Sequence, residues 1–266
     1  MDLGKEVNFD AIVVGTGISG GWAAKELTEK GLKTLVLERG PMVRHIEDYP
    51  TMNMDPWDFE FGNIITKETL KRQAKQSRTG YVSKEESKHF FVDDVTHPYN
   101  EDKSFDWIRG YHVGGRSLLW GRHSYRLSDF DFEANLKDGI AVDWPIRYKD
   151  IAPWYSYVEK HIGISGEKLG LPHLPDSEFL KPMELKCTEK HLRKSLQKNY
   201  SNRILTMGRL AHISEGTKPG AGRISCQYRN RCRRGCPFGA YFSSQSSTLP
   251  MAEATGNMTL RPNSIV

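Results

Sequence analysis

The sequence predicts an α/β fold with a parallel sheet, on three observations. An apolar run, Phe9 to Val14, leads into the glycine turn Gly15-Thr16-Gly17-Ile18-Ser19-Gly20. A stretch with helical spacing follows, and a second apolar run, Lys33 to Leu37, ends in the acid Glu38. Strand, glycine turn, helix, strand and terminal acid in that order form a Rossmann-like βαβ unit that binds a dinucleotide.

Each element has a local reason. Short β-branched runs suit strands buried on both faces of a parallel sheet. Gly15 permits the tight turn, Gly17 lets a phosphate approach the backbone, and Gly20 lets helix and strand pack closely. The helix is expected from about Ile18 to Lys30, with Ile18, Trp22, Ala23 and Leu27 on one face and Gly31 as its stop. Its N-terminal N–H groups and dipole receive a pyrophosphate, and Glu38 receives the ribose hydroxyls.

Composition bounds the rest. The chain has 266 residues, 38% hydrophobic and 27% charged, with a formal charge of +5. That length supports one large domain or two small ones. No apolar run is long enough for a membrane span. Residues Met1 to Asn8 carry no apolar signal segment, so a cytoplasmic, reducing setting is expected. The mild positive charge is compatible with an anionic cofactor and does not imply nucleic acid.

Further along, residues 49–104 are polar and punctuated by Pro50, Pro56 and Pro98. They read as a long surface excursion or lid, with a short exposed helix over Thr66 to Arg78. Residues 105–135 hold a second glycine motif, Val113-Gly114-Gly115-Arg116-Ser117, leading to Trp120-Gly121. Paired glycines bring backbone against a ligand, and the Ser117 hydroxyl would serve a phosphate or ribityl group. Residues 136–220 form a further segment. In it, Pro145 opens a helix with Trp154, Tyr155, Val158 and Ile162 on one face and Gly163 at its end. A basic amphipathic helix is expected near Glu184 to Tyr200. Residues 221–266 contain the cysteines and a last strand, Met258 to Val266.

These motifs resemble the glucose–methanol–choline oxidoreductases, in their sugar-oxidising branch of pyranose-oxidase-like and gluconate-dehydrogenase-like enzymes. The resemblance rests on Gly15, Gly17 and Gly20 with Glu38-Arg39-Gly40, on Val113 to Ser117 with Trp120-Gly121, on Asp143-Trp144-Pro145 with the helix after it, and on Cys236-Pro237-Phe238-Gly239-Ala240. It implies an α/β, Rossmann-like FAD-binding domain over 8–48, with an inserted, incomplete substrate or cap domain over 136–220. The FAD pyrophosphate would lie on Gly15, Gly17, Ile18, Ser19 and Gly20, and its adenosine on Glu38, Arg39 and Val266. Gly114, Gly115, Ser117, Trp120 and Gly121 would run toward the flavin. Leu119 stands where related enzymes carry a histidine that tethers the flavin, so non-covalent FAD is expected. The implied reaction oxidises a CH–OH group of a sugar or related alcohol, with an unspecified electron acceptor. The family's proton-abstracting histidine lies in a C-terminal half beyond residue 266, so the chain reads as an N-terminal piece without its catalytic base. His112 and His123 flank the second motif, but neither is assigned a catalytic role.

Cys226, Cys232 and Cys236 leave three readings open. Soft thiolates suit an iron–sulfur cluster of the kind found in some bacterial sugar dehydrogenases. A zinc site would recruit Cys187 or a histidine as fourth ligand. The third reading is plain thiols on an arginine-rich loop. Three functional alternatives also stand: a nicotinamide-dependent dehydrogenase, which leaves the second glycine motif unexplained; a nucleic-acid module on the arginine stretch; and a non-catalytic flavin-binding fragment.

Overall fold

Strand β1 (Ala11–Val14) enters helix α1 (Ile18–Glu29) through a turn in which Gly15 holds φ +90°, a left-handed conformation that glycine adopts without a Cβ penalty. Strand β2 (Thr34–Leu37) follows. In this computed structural model, residues 8–80 and 84–266 are described. Residues 1–7, read above for a targeting segment, and 81–83 of the excursion lie outside them. The chain continues through helices α2 (Lys67–Arg72), α3 (Ala74–Ser77), α4 (Asp129–Phe132), α5 (Ala134–Asp138) and α6 (Tyr148–Ile162). Short strands β3 (Ile164–Ser165) and β4 (Phe179–Leu180) precede α7 (Cys187–Asn199). Then come β5 (Thr217–Lys218), β6 (Arg223–Ile224), α8 (Thr248–Ala254) and β7 (Met258–Arg261). Among the described residues no helix is long and apolar enough to cross a membrane.

The chain divides into two units. The first comprises residues up to Trp120 together with Tyr228–Gly239 and Ser243–Val266. Its sheet is parallel, in the order β1-β2-β7, with Ala11 opposite Thr34 and Thr34 opposite Met258. Val13 and Val36 point to one face and pack with Ala24 of α1 and Ala252 of α8. The architecture is thus the α/β, Rossmann-like one, with two helices against a parallel sheet.

The buried stripe of α1 differs from expectation. Gly21, Ala24, Lys25 and Thr28 are buried, while Ile18 is exposed. The reason is α8: a Cβ on Gly21 would lie 2.6 Å from the Thr248 hydroxyl and 2.7 Å from that of Ser244. Small residues therefore turn toward α8, and Ala23 and Leu27 only flank the core. The helix ends at Gly31 as read, with φ +84° and its N–H donating to the Thr28 carbonyl at 3.0 Å.

The described residues of 49–104 belong to the first unit. Tyr49, Phe59, Phe90, Phe91 and Val92 are buried. The Gln76 side chain donates to the Val92 carbonyl and accepts from the Arg109 N–H at 2.9 Å. Arg109 closes a buried ion pair with Asp94 at 2.7 Å. The last strand is shorter than expected, because Pro262 lacks an N–H and Asn263 adopts φ +54°. Ser264 then resumes pairing, donating to the Glu38 carbonyl at 2.8 Å.

The second unit comprises Gly121–Gln227 and Ala240–Phe242. In α6, Ile162 is buried and Tyr155 and Val158 are half-buried as the spacing predicts, whereas Trp154 is exposed and the buried Glu159 joins the inward face. Glu159 is drawn inward by Arg126, whose Nε and Nη2 donate to its two carboxylate oxygens at 3.0 and 2.6 Å.

Candidate cofactor-binding site

The first turn of α1 follows directly from β1, and its N-cap, Gly17, supplies no side-chain cap. First-turn N–H groups have no intrahelical acceptor and so point outward as a seat for an anion. Ile18 and Ser19 are exposed there. A Cβ on Gly17 would meet nothing within 4 Å, whereas one on Gly20 would lie 2.0 Å from the Gly15 carbonyl oxygen. Gly17 thus faces open space at the turn, and Gly20 is a packing requirement.

The second glycine motif packs against this turn. Gly114 and Gly115 have φ +82° and +46°. A Cβ on Gly115 would lie 3.5 Å from Gly17 Cα, and one on Gly114 would overlap the Gln245 side chain. Thr16, which sequence reasoning did not single out, joins the motifs. Its Oγ1 accepts from the Gly114 N–H at 2.8 Å and donates to Glu38 at 2.5 Å. Its signal was present only as the non-glycine residue inside the first turn. Gln245 was missed as well; its amide donates to the Val113 carbonyl at 2.7 Å.

Glu38 is buried, and its carboxylate accepts from the N–H groups of Thr16 and Gly40, both at 3.0 Å. With the Thr16 hydroxyl these make three donors, leaving acceptor capacity for one more. Arg39 is exposed and stacks over the Tyr111 ring at 3.8 Å. A cavity of about 280 Å³ joins these pieces, lined by Gly15, Gly17, Glu38, Arg39, Gly115 and Val266 among others. Glycine turn, terminal acid, diglycine bend and C-terminal residues therefore meet at one place in the first unit.

Ser117 lies within the bend. Its hydroxyl is fully buried, donates to the Gly114 carbonyl at 2.6 Å and accepts from the Ser244 N–H at 2.9 Å. It holds the bend in shape. Trp120 and Gly121 do not line the cavity. His112 is buried and donates through Nδ1–H to the Val113 carbonyl, 2.9 Å away, and burial pushes its pKa down.

None of the cysteines forms a disulfide, and among the described residues no group of three or more His, Cys, Asp or Glu side chains is placed to hold a metal. Cys226 belongs to the second unit, where its N–H donates to Ile213 at 2.8 Å, while Cys232 and Cys236 belong to the first. The intervening arginines fix that split. Arg229 donates to the Met52 carbonyl at 2.5 Å and Arg234 to Glu86 at 2.7 Å. Neither the iron–sulfur nor the zinc reading is supported.

No protein-family model matches the chain. Among curated proteins it is 24% identical to the fructose dehydrogenase large subunit of Gluconobacter japonicus, over 98% of this chain and 46% of that protein. It is 29% identical to the gluconate 2-dehydrogenase flavoprotein of Pantoea cypripedii, over 59% of this chain and 25% of that protein. It is 26% identical to paromamine 6'-oxidase of Streptomyces fradiae, over 61% and 24% respectively. Among solved structures it is similar to pyridoxine 4-oxidase from Mesorbium loti, at a TM-score of 0.46 and 16% identity, over 96% of this chain and 42% of that one. The chain thus spans less than half the length of the curated relatives it matches. By name these relatives are sugar or alcohol dehydrogenases and oxidases, in keeping with the resemblance to the glucose–methanol–choline oxidoreductases.

Proposed function

We propose that this chain binds FAD non-covalently and forms the cofactor-holding part of an oxidoreductase acting on CH–OH groups of a sugar or related alcohol. The observation that carries the proposal is the contact of the two glycine motifs around one cavity, with Gly115 against Gly17 and Thr16 bonded to both Gly114 and Glu38. A nicotinamide cofactor requires only the first turn, acid and helix, and gives no reason for the second bend. The relatives support the reading, since one is a flavoprotein by name and others are dehydrogenases or oxidases.

In this reading, the first-turn N–H groups of Ile18, Ser19 and Gly20 receive the pyrophosphate, and the helix dipole favours its charge. Glu38 accepts from the ribose, and Arg39 and Val266 border the adenosine. Gly114 and Gly115 present bare backbone toward the rest of the cofactor, with Trp120 and Gly121 next along the chain. Leu119 offers no nucleophile for a covalent tether. When bound, FAD supplies the two-electron acceptor for alcohol oxidation. The base that accepts the hydroxyl proton is not among the residues placed here, and Cys226, Cys232 and Cys236 take no part.

Gly17→Leu tests the seat cleanly. Gly17 has φ −62° and open space beyond its Cα, so leucine is accommodated in the fold while filling the phosphate position. The wild-type protein is expected to quench flavin fluorescence saturably and to release all its flavin on acid precipitation. Gly17→Leu is expected to keep its circular dichroism and lose FAD affinity at least tenfold. Saturable binding of NAD with no binding of FAD overturns the proposal.

A further inference from the structure

We propose that α7 and the loop before it form a docking surface for an acidic protein segment that inserts an aliphatic side chain. Residues 181–203 carry seven Lys and Arg against two Glu, an excess equal to the net +5 of the whole chain. The helix and its flanks are thus one of two strongly basic stretches, the other being the arginines of 223–234.

That helix is also unpartnered. No residue of α7 is buried, and Leu192 is 49% exposed. A lone helix of 13 residues is marginal in water unless an apolar face is covered. Its anchors within the second unit are polar: Lys186 N–H donates to Glu189 at 2.6 Å, and Arg193 pairs with Glu167 at 3.1 Å.

Beside the helix lies a cavity of about 510 Å³ with an aliphatic lining of Pro182, Met183 and Leu185. Lys181, Lys190 and Lys194 also line it. Glu184 pairs with Lys190 at 3.5 Å, whereas Lys181 and Lys194 have no carboxylate partner among the described residues. Glu167 also lines the cavity but is paired with Arg193, so two ammonium groups beside an aliphatic pocket, those of Lys181 and Lys194, are left to complement a segment with one branched apolar residue between carboxylates. The chemistry disfavours other polyanions. Single-stranded nucleic acid is held by aromatic side chains on which bases stack, and the cavity lining contains none. Interfacial membrane helices carry Trp or Phe on a broad apolar face, whereas α7 offers only Leu192 and Leu196.

The test is fluorescence anisotropy with the full chain and a fluorescein-labelled peptide of Glu and Asp around a single Leu. The expected result is saturable binding that weakens at high salt, falls at least tenfold when the peptide Leu is replaced by Gly, and falls at least tenfold again in Lys181→Glu/Lys194→Glu. That variant leaves the Arg193–Glu167 pair intact, and its helix content is checked by circular dichroism. Equal binding by the Leu and Gly peptides overturns the proposal. So does unchanged binding by the double variant, or tighter binding of an oligothymidylate or of phosphatidylglycerol vesicles than of the Leu peptide.

Discussion

Replacing Thr16 by valine isolates the bond that joins the two glycine motifs. Thr16 is fully buried, and valine keeps its shape, so packing around the turn is preserved. Two interactions disappear: the hydroxyl no longer donates to the Glu38 carboxylate, and the Gly114 N–H loses its acceptor. A hydrogen bond to a charged group contributes about 1.5–3 kcal/mol, and a buried N–H left unpaired costs about 1–3 kcal/mol. The adjoining cavity of about 280 Å³ is large enough to admit a water that partly replaces the lost partner. The expected net loss is therefore about 2–4 kcal/mol. Urea denaturation of wild type, Thr16→Val and Thr16→Ser measures it, with FAD titration of each alongside. Serine retains the hydroxyl and is expected within about 1 kcal/mol of wild type, the cost of one buried methyl group. FAD affinity is expected to fall for valine and hold for serine. If valine and serine are equally stable, or valine binds FAD as wild type does, Thr16 does not couple the motifs and the reasoning fails.

Three further outcomes follow from named contacts. Gly20→Ala places a Cβ 2.0 Å from a backbone oxygen, so it is expected to lower stability by about 3 kcal/mol or more, read as a large fall in melting temperature. Glu159→Gln leaves the buried Arg126 guanidinium, held above its ordinary pKa chiefly by the Glu159 hydrogen bonds, without its counter-charge. A loss of about 3–5 kcal/mol in chemical denaturation is expected, with most of it regained in Arg126→Met/Glu159→Leu. His212 is pushed down to about 4 by burial, with Arg122 and His123 adding repulsion, so the folded protein binds this proton less readily than the unfolded chain. Its contribution is complete above the ordinary histidine value near 6.5 and is lost as pH falls from there toward about 4. Urea midpoints across that range are expected to decline with pH by about 2 kcal/mol more in wild type than in His212→Phe.

The part of the fold legible in the sequence was the part encoded locally. Gly15, Gly31 and Gly163 end or turn elements through their own backbone freedom, so α1 and α6 ended where residue type alone placed them. Which face each helix buries is decided by a partner distant in sequence. Gly21 faces inward because Ser244 and Thr248 lie against it, and Glu159 because Arg126 reaches it, and no periodicity within either helix encodes those neighbours. The same holds among the described residues of 49–104. Gln73 and Gln76 look like surface residues until the carbonyls of Phe91 and Val92 are brought to them. At the site, the residues with an open backbone, Gly17 and Gly115, were visible as motif glycines. Thr16, Ser117 and Gln245 act through hydrogen bonds whose partners only the fold supplies, so residue type within the motifs does not reveal those roles.

Those bonds also determine when the site can form. Thr16 and Gly114 are 98 residues apart, Ser117 and Ser244 127, and Gly17 and Ser244 227. Closing loops of that length precedes any energetic return from the contacts inside them, so the βαβ start can form early while the groove between the motifs forms only with α8 in place. A ligand that binds only the closed groove then stabilises the folded state by mass action, in proportion to the logarithm of its concentration over its dissociation constant. The cofactor is in this sense a late structural element of the first unit. Its effect on stability is therefore expected to be small in Thr16→Val, where the groove is loosened, and large in wild type. A melting temperature that rises equally in both proteins on adding FAD places the cofactor's contacts elsewhere than between Gly17 and Gly115.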